Sequence, residues 1–118
     1  IFPGYLDDAE LAVLLEHAHG LVFPSLYEGF GLPVLEAMAA GVPVACSNST
    51  ALAEIAADAA LLFDPRKPAA VSRALLSLAM DGAVREDLVV RGRDRARAFS
   101  GRERMIADYR RLLAQVIR

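Results

Sequence analysis

Three short, uninterrupted apolar runs punctuate the first half of the chain: Leu21-Val22-Phe23, Val44-Ala45-Cys46 and Leu61-Leu62-Phe63. Each is closed by a turn (Pro24-Ser25, the polar Ser47-Asn48-Ser49-Thr50, Asp64-Pro65), and a helical pattern separates each from the next. Strands that are apolar on both faces must be covered on both. Intervening helices supply that cover through right-handed crossovers. The expected fold is therefore α/β, a Rossmann-like doubly wound parallel sheet with trailing C-terminal helices. Ile1-Phe2 reads as the tail of a further strand, so about four strands are expected.

The helices announce themselves by their ends. Asp7-Asp8 can cap a helix carrying Leu11, Val13, Leu14 and Leu15 and stopping at Gly20. Pro33 suits the first turn of a helix that runs through Ala40 and is ended by Gly41 and Pro43. The polar loop Ser47 to Thr50 can cap a short helix over 51–56. Three more helices are expected over about 68–80, 83–98 and 101–117. In the last, Met105, Ile106, Tyr109, Leu112, Leu113, Val116 and Ile117 recur at helical spacing and make one apolar face. Met38 and Met80 read as packing residues.

With 118 residues, 55% of them hydrophobic, the chain can build one core without disulfide or metal staples. Its single cysteine, Cys46, falls in a buried-strand pattern and reads as an inert thiol. His17 and His19, two apart near a helix end, have a poor spacing for sharing a ligand and read as helix-end residues. No membrane-length apolar run and no basic region followed by an apolar stretch opens the chain, so a cytoplasmic location is expected, with the inner face of the membrane as an alternative.

The charge is polarised. From Ile1 to Pro65 there are nine acids and no Lys or Arg; from Arg66 onward there are 13 bases and six acids, giving −9 and +7. Arg91, Arg93, Arg95 and Arg97 fan around their helix and read as a solvated face rather than a nucleic-acid surface, so no nucleic-acid partner is expected.

The segment from Ser25 to Val44 carries the chemistry. It lies between a strand end and a helix start, where open α/β sheets bind ligands. Gly29 and Gly31 permit close backbone approach. Amides at the helix start, from Gly31 to Val34 except Pro33, favour an anion such as a phosphate. Glu28 and Glu36 flank this anion site and suit hydroxyls, since an ionised carboxylate accepts from two vicinal donors. Glu36 could then hold a ribose and Glu28 a second sugar, with a diphosphate between them. Such a ligand is a nucleotide sugar. Tyr27 and Phe30 are candidates for the wall of its pocket.

These residues resemble the Glu-x7-Glu signature of retaining GT-B glycosyltransferases of family 4, the group 1 glycosyltransferases. The opening Phe2 to Leu11 and the tract Glu54 to Pro65 resemble two further blocks of that family's C-terminal, donor-binding domain. The resemblance implies that Glu28 contacts the transferred sugar as the catalytic-site acid and that Glu36 contacts the ribose. It places the amides of Gly29, Phe30, Gly31 and Leu32 by the sugar and distal phosphate, and Leu6 by the base. It implies no metal and no cofactor, the nucleoside-diphosphate sugar being the donor substrate.

The family's Arg and Lys, which neutralise the departing diphosphate, belong to units before the position matching Ile1. No base precedes Arg66 to replace them. Residues 1–118 are thus expected to be one donor-binding unit of a longer enzyme, partnered by an N-terminal GT-B domain. Alone, the chain is expected to bind donor weakly and to be inactive. Ala53 and Ala57 stand where the family usually has Pro and often has Gly. The basic, one-sided last helix suits docking on the N-terminal domain, and a peripheral membrane contact is the alternative. Two rival readings are a non-catalytic recruitment module and a dinucleotide-binding domain. The latter lacks a Gly-x-Gly-x-x-Gly turn.

Overall fold

The structure is a computed structural model and describes residues 1–116. Its elements run α1 (Asp8–Glu16), β1 (Leu21–Phe23), α2 (Leu32–Ala40), β2 (Val44–Ser47), α3 (Thr50–Ala56), β3 (Leu61–Phe63), α4 (Pro68–Met80), α5 (Gly82–Phe99) and α6 (Arg102–Val116). The three strands form one parallel sheet in the order β1-β2-β3, with Leu21 opposite Val44 and Ala45 opposite Leu61.

The strands alternate sides, as a two-residue period requires. On one face Val44 and Cys46 join Val34, Ala37 and Met38 of α2, Leu52 and Ile55 of α3, and Ala96 of α5. On the other, Ala45 and Phe63 pack with Ala74 and Leu78 of α4 and Leu88 of α5. This two-sided burial makes the runs continuously apolar, and it matches the doubly wound α/β expectation. The central strand β2 is buried along its whole length.

Local chemistry explains the helix ends. Asp7 and Glu10 form a reciprocal capping box: Glu10 N donates to Asp7 Oδ1 at 2.8 Å and Asp7 N to Glu10 Oε2 at 3.0 Å. Asp81 separates α4 from α5 and caps the latter by accepting from Val84 N at 3.1 Å. Arg85 reaches back to the last carbonyls of α4, donating to Leu78 O and Ala79 O. Where α5 crosses α2, a Cβ added at Gly92 would meet Met38 Cγ at 3.2 Å, so the absence of a side chain sets their close approach.

Three expectations need correction. Ile1-Phe2 is not a strand: both residues are fully exposed, and among the described residues the sheet has three strands with β1 at one edge. An extended segment with no neighbour leaves its backbone groups unpaired and gains nothing over a solvated coil. Met80 is 81% exposed rather than packed. Ala74 and Leu78 are the buried positions of α4, and Met80 lies two residues, roughly 200°, further round the helix. Ser49 does not cap α3 with its side chain, which turns instead to Leu26 O. Of the apolar face expected on the last helix, Met105, Tyr109, Leu112 and Leu113 are exposed. Ile117 and Arg118 lie outside the described residues.

Ala57 follows α3 with φ 48° and ψ −120°, a region that L-residues with a Cβ rarely occupy. Strain of this kind costs about 1–3 kcal/mol. Ala57→Gly is therefore expected to raise stability by about 1 kcal/mol after the entropy of the unfolded glycine is set against it. A denaturant titration checks this: the midpoint moves up at unchanged slope, and an unmoved midpoint means that the strain is absent.

Candidate functional site

The site begins where β1 ends. Pro24 to Gly31 forms the loop between β1 and α2, and two of its residues are locked by side chains. Ser25 Oγ lies 2.9 Å from Glu28 Oε1 and 3.1 Å from Tyr27 O. Its single proton is drawn to the carboxylate, the stronger acceptor. Glu28 is half-buried and its own N–H donates to Thr50 Oγ1 at 3.2 Å. Ser49 Oγ donates to Leu26 O at 3.5 Å, the outer limit of a hydrogen bond. The polar loop Ser47 to Thr50 therefore ties down the neighbouring strand–helix loop instead of capping α3.

Thr50 holds this position at φ 50°, a left-handed conformation uncommon for a β-branched residue. Such outliers persist only where surrounding contacts over-determine them, and they cluster at working sites.

Gly31 is the pivot. It sits at the N-cap of α2 with φ 98° and ψ 44°, and a Cβ there would meet Leu52 Cδ2 at 2.6 Å. The turn it permits brings the chain into α2, where Val34 N donates back to Gly31 O at 3.1 Å. Val34 is thus spent inside the helix, contrary to the expectation that its amide points outward. Among the described residues, the N–H groups of Gly29, Phe30, Gly31 and Leu32 donate to no protein acceptor. Of these, Gly31 and Leu32 lie at the start of α2, where unbonded N–H groups and the helix dipole favour an anion, and Gly29 and Phe30 lie in the loop just before it.

Glu36 lies one turn into α2 and is exposed. Its buried neighbours Val34, Leu35, Ala37 and Met38 face the core, on the other side of the helix. Glu36 lines a cleft between α1 and α2 with Asp8, Leu11, Ala12, Leu15 and Glu16. Leu6 is half-buried in a separate depression with Pro3, Ala9, Glu10, Val13 and Leu14. The structure thus sets Glu28 in the loop that leads into α2, bound to Ser25 and Thr50, and Glu36 one turn into that helix on the cleft facing α1, with Leu6 apart against α1. Tyr27 projects into solvent, while the Phe30 ring packs on Phe99.

Two residues with a bearing on the site escaped the sequence reading. Arg95 does not belong to a solvated face: Nε donates to Ile55 O at 2.7 Å and Nη2 to Glu54 O at 2.6 Å, at the end of α3. Phe99 lies beneath its guanidinium. Neither could be singled out, because their partners are far away in sequence. Of the other bases on α5, Arg91 pairs with Asp87 and Asp58, and Arg97 with Asp94.

His17 ends α1, its Nδ1 2.9 Å from Val13 O. Cys46 is fully buried, and burial pushes its thiol up to about 11 from 9.0. That shift leaves about 100-fold less thiolate at neutral pH than an exposed cysteine has. Labelling by a disulfide reagent at pH 8 is accordingly expected to be at least that much slower in the folded chain than in denaturant. Comparable rates in the two states would place Cys46 outside the core.

A parallel sheet covered on both faces, with a glycine turn between two acids at a strand–helix junction, defines an α/β domain of the doubly wound class. Residues 1–95 match the family described as Glycosyl transferases group 1, and the chain belongs to that family. Its fold is that of a GT-B glycosyltransferase domain.

Among relatives, the chain is 47% identical over 99 residues to O-antigen chain mannosyltransferase B of Escherichia coli, covering 84% of this chain and 26% of that protein. It is 37% identical over 110 residues to a glycogen synthase of Mycobacterium tuberculosis, covering 92% of this chain and 24% of that one. A solved structure, sucrose-phosphate synthase from Thermosynechococcus elongatus, superposes with a TM-score of 0.79 at 35% identity, covering 95% of this chain and 30% of that chain. The chain thus spans only about a quarter to a third of each of these proteins. Among the described residues, no helix is long and apolar enough to cross a membrane.

Proposed function

We propose that this chain is the donor-binding domain of a retaining glycosyltransferase that moves a hexose from a nucleoside-diphosphate sugar to an acceptor. The observation that carries the proposal is the set of four free amides at Gly29 to Leu32, flanked by Glu28 and Glu36 at the start of α2. As the bond between the sugar's anomeric carbon and the diphosphate oxygen breaks, negative charge grows on the diphosphate. Amides already aimed at that charge stabilise it without reorganising. Glu36 accepts from the ribose hydroxyls. Glu28, held by Ser25 and by its own N–H on Thr50, orients the transferred sugar.

Arg95 is bound to the end of α3 and does not serve as the diphosphate's counter-charge. In this reading the cations come from the N-terminal GT-B domain, on which the exposed face of α6 docks, and no divalent metal takes part. The relatives named as mannosyltransferases make a mannosyl donor the first to try.

Titration of the 15N-labelled chain with GDP-mannose, and separately with UDP- and ADP-glucose, tests the proposal. The expected result is millimolar-range binding that shifts Gly29, Gly31 and Glu36, unchanged by a chelator. Silence at those three residues with every donor at millimolar concentration would overturn it.

A further inference from the structure

We propose that Arg95 and Phe99, at the far end of α5, are positioning residues that hold the glycine loop in its binding shape through Phe30. The consequence for donor affinity rests on the function proposed above; the mechanical part does not. Three contacts link the loop to the body of the domain. Arg95 grips the end of α3 with two hydrogen bonds, Nε to Ile55 O and Nη2 to Glu54 O. Its guanidinium carbon stands 4.9 Å from the centre of the Phe99 ring. Phe99 in turn meets Phe30 edge-to-face, the ring centres 6.0 Å apart and the planes at 83°.

The loop needs such a contact. Phe30 is the one residue with a side chain between Gly29 and Gly31. A Cβ at Gly29 would find nothing within 4 Å, so no neighbouring group packs against that side of the backbone. Glycines on both sides make this stretch the most entropically costly part of the site to order. Amides serve as a preformed anion cradle only if their directions are set before the ligand arrives. Phe30 and Phe99 are 46% and 41% exposed, so burial alone does not account for their pairing. The ring-edge geometry and the cation above Phe99 give the contact a defined orientation instead. Arginine is required at 95 because its planar fork spans two successive carbonyls while offering a face to the ring, which a lysine ammonium cannot do.

The test compares Phe99→Leu, Arg95→Lys and the conservative Phe99→Tyr with the parent chain, and uses Val90→Ala, an exposed change elsewhere on α5, as control. Backbone 15N order parameters of Gly29, Phe30 and Gly31 are measured first, without ligand, together with melting temperature. Phe99→Leu and Arg95→Lys are expected to loosen these amides, whereas Phe99→Tyr and Val90→Ala leave them ordered. GDP-mannose titration is then expected to show affinity lower by about 2- to 10-fold in the two loosened variants, the size of one aromatic contact.

Unchanged order in both Phe99→Leu and Arg95→Lys overturns the positioning role whatever the donor does. If the loop loosens while the parent chain binds no donor, the positioning role stands and the donor reading falls. A loosened loop with undiminished affinity sinks the link between the two. Both changes lie at partly exposed positions near the end of α5, and melting temperature separates local loosening from global unfolding.

Discussion

Gly31→Ala is expected to destabilise the chain by about 3 kcal/mol and to abolish measurable donor binding. Two separate costs add. A non-glycine residue at the left-handed angle of 98° loses roughly 1–2 kcal/mol. The new methyl would also stand 2.6 Å from Leu52 Cδ2. Leu52 is fully buried against α2 and the sheet, so it cannot swing away, and overpacking of this kind costs about 1–3 kcal/mol. Any relaxation that relieves the clash must move the first turn of α2, and with it the amides of Gly31 and Leu32. Chemical denaturation reads the first effect and the nucleotide-sugar titration the second. A variant as stable as the parent would show that the loop can adopt another turn, and the cradle described here would then be dispensable.

Glu36→Ala is expected to behave in the opposite way, with affinity lost and stability kept. Glu36 is exposed and its neighbours on α2 carry the packing, so its removal should change stability by less than about 0.5 kcal/mol. Hydrogen bonds from ribose hydroxyls to an ionised carboxylate contribute about 1.5–3 kcal/mol, which corresponds to a loss of roughly 10- to 150-fold in affinity. Glu36→Gln keeps an acceptor without the charge and should fall between. Glu28 would not separate the two effects so cleanly, because its side chain also receives Ser25 Oγ. A Glu36→Ala chain that binds every nucleotide sugar as the parent does would remove the ribose from this position.

Much of the architecture was legible because local chemistry and tertiary need agree. The runs at 21–23, 44–46 and 61–63 became strands, because only a two-sided sheet buries continuous apolar residues. Asp7, Pro33 and Gly41 ended helices for reasons contained within four residues of each. Ile1-Phe2 failed for the complementary reason: a strand exists only with a neighbour, and apolar composition does not supply one.

At the site, the order Glu28, Gly29, Gly31, Glu36 determined by itself that two acids would bracket a glycine turn at a helix start, since all of that is encoded within nine residues. What holds the turn was decided in three dimensions. Thr50 takes the N–H of Glu28 from 22 residues away, and Arg95 reaches carbonyls 40 and 41 residues back. A hydrogen bond across that distance depends on how the sheet brings successive loops together, and no spacing rule along the chain records it.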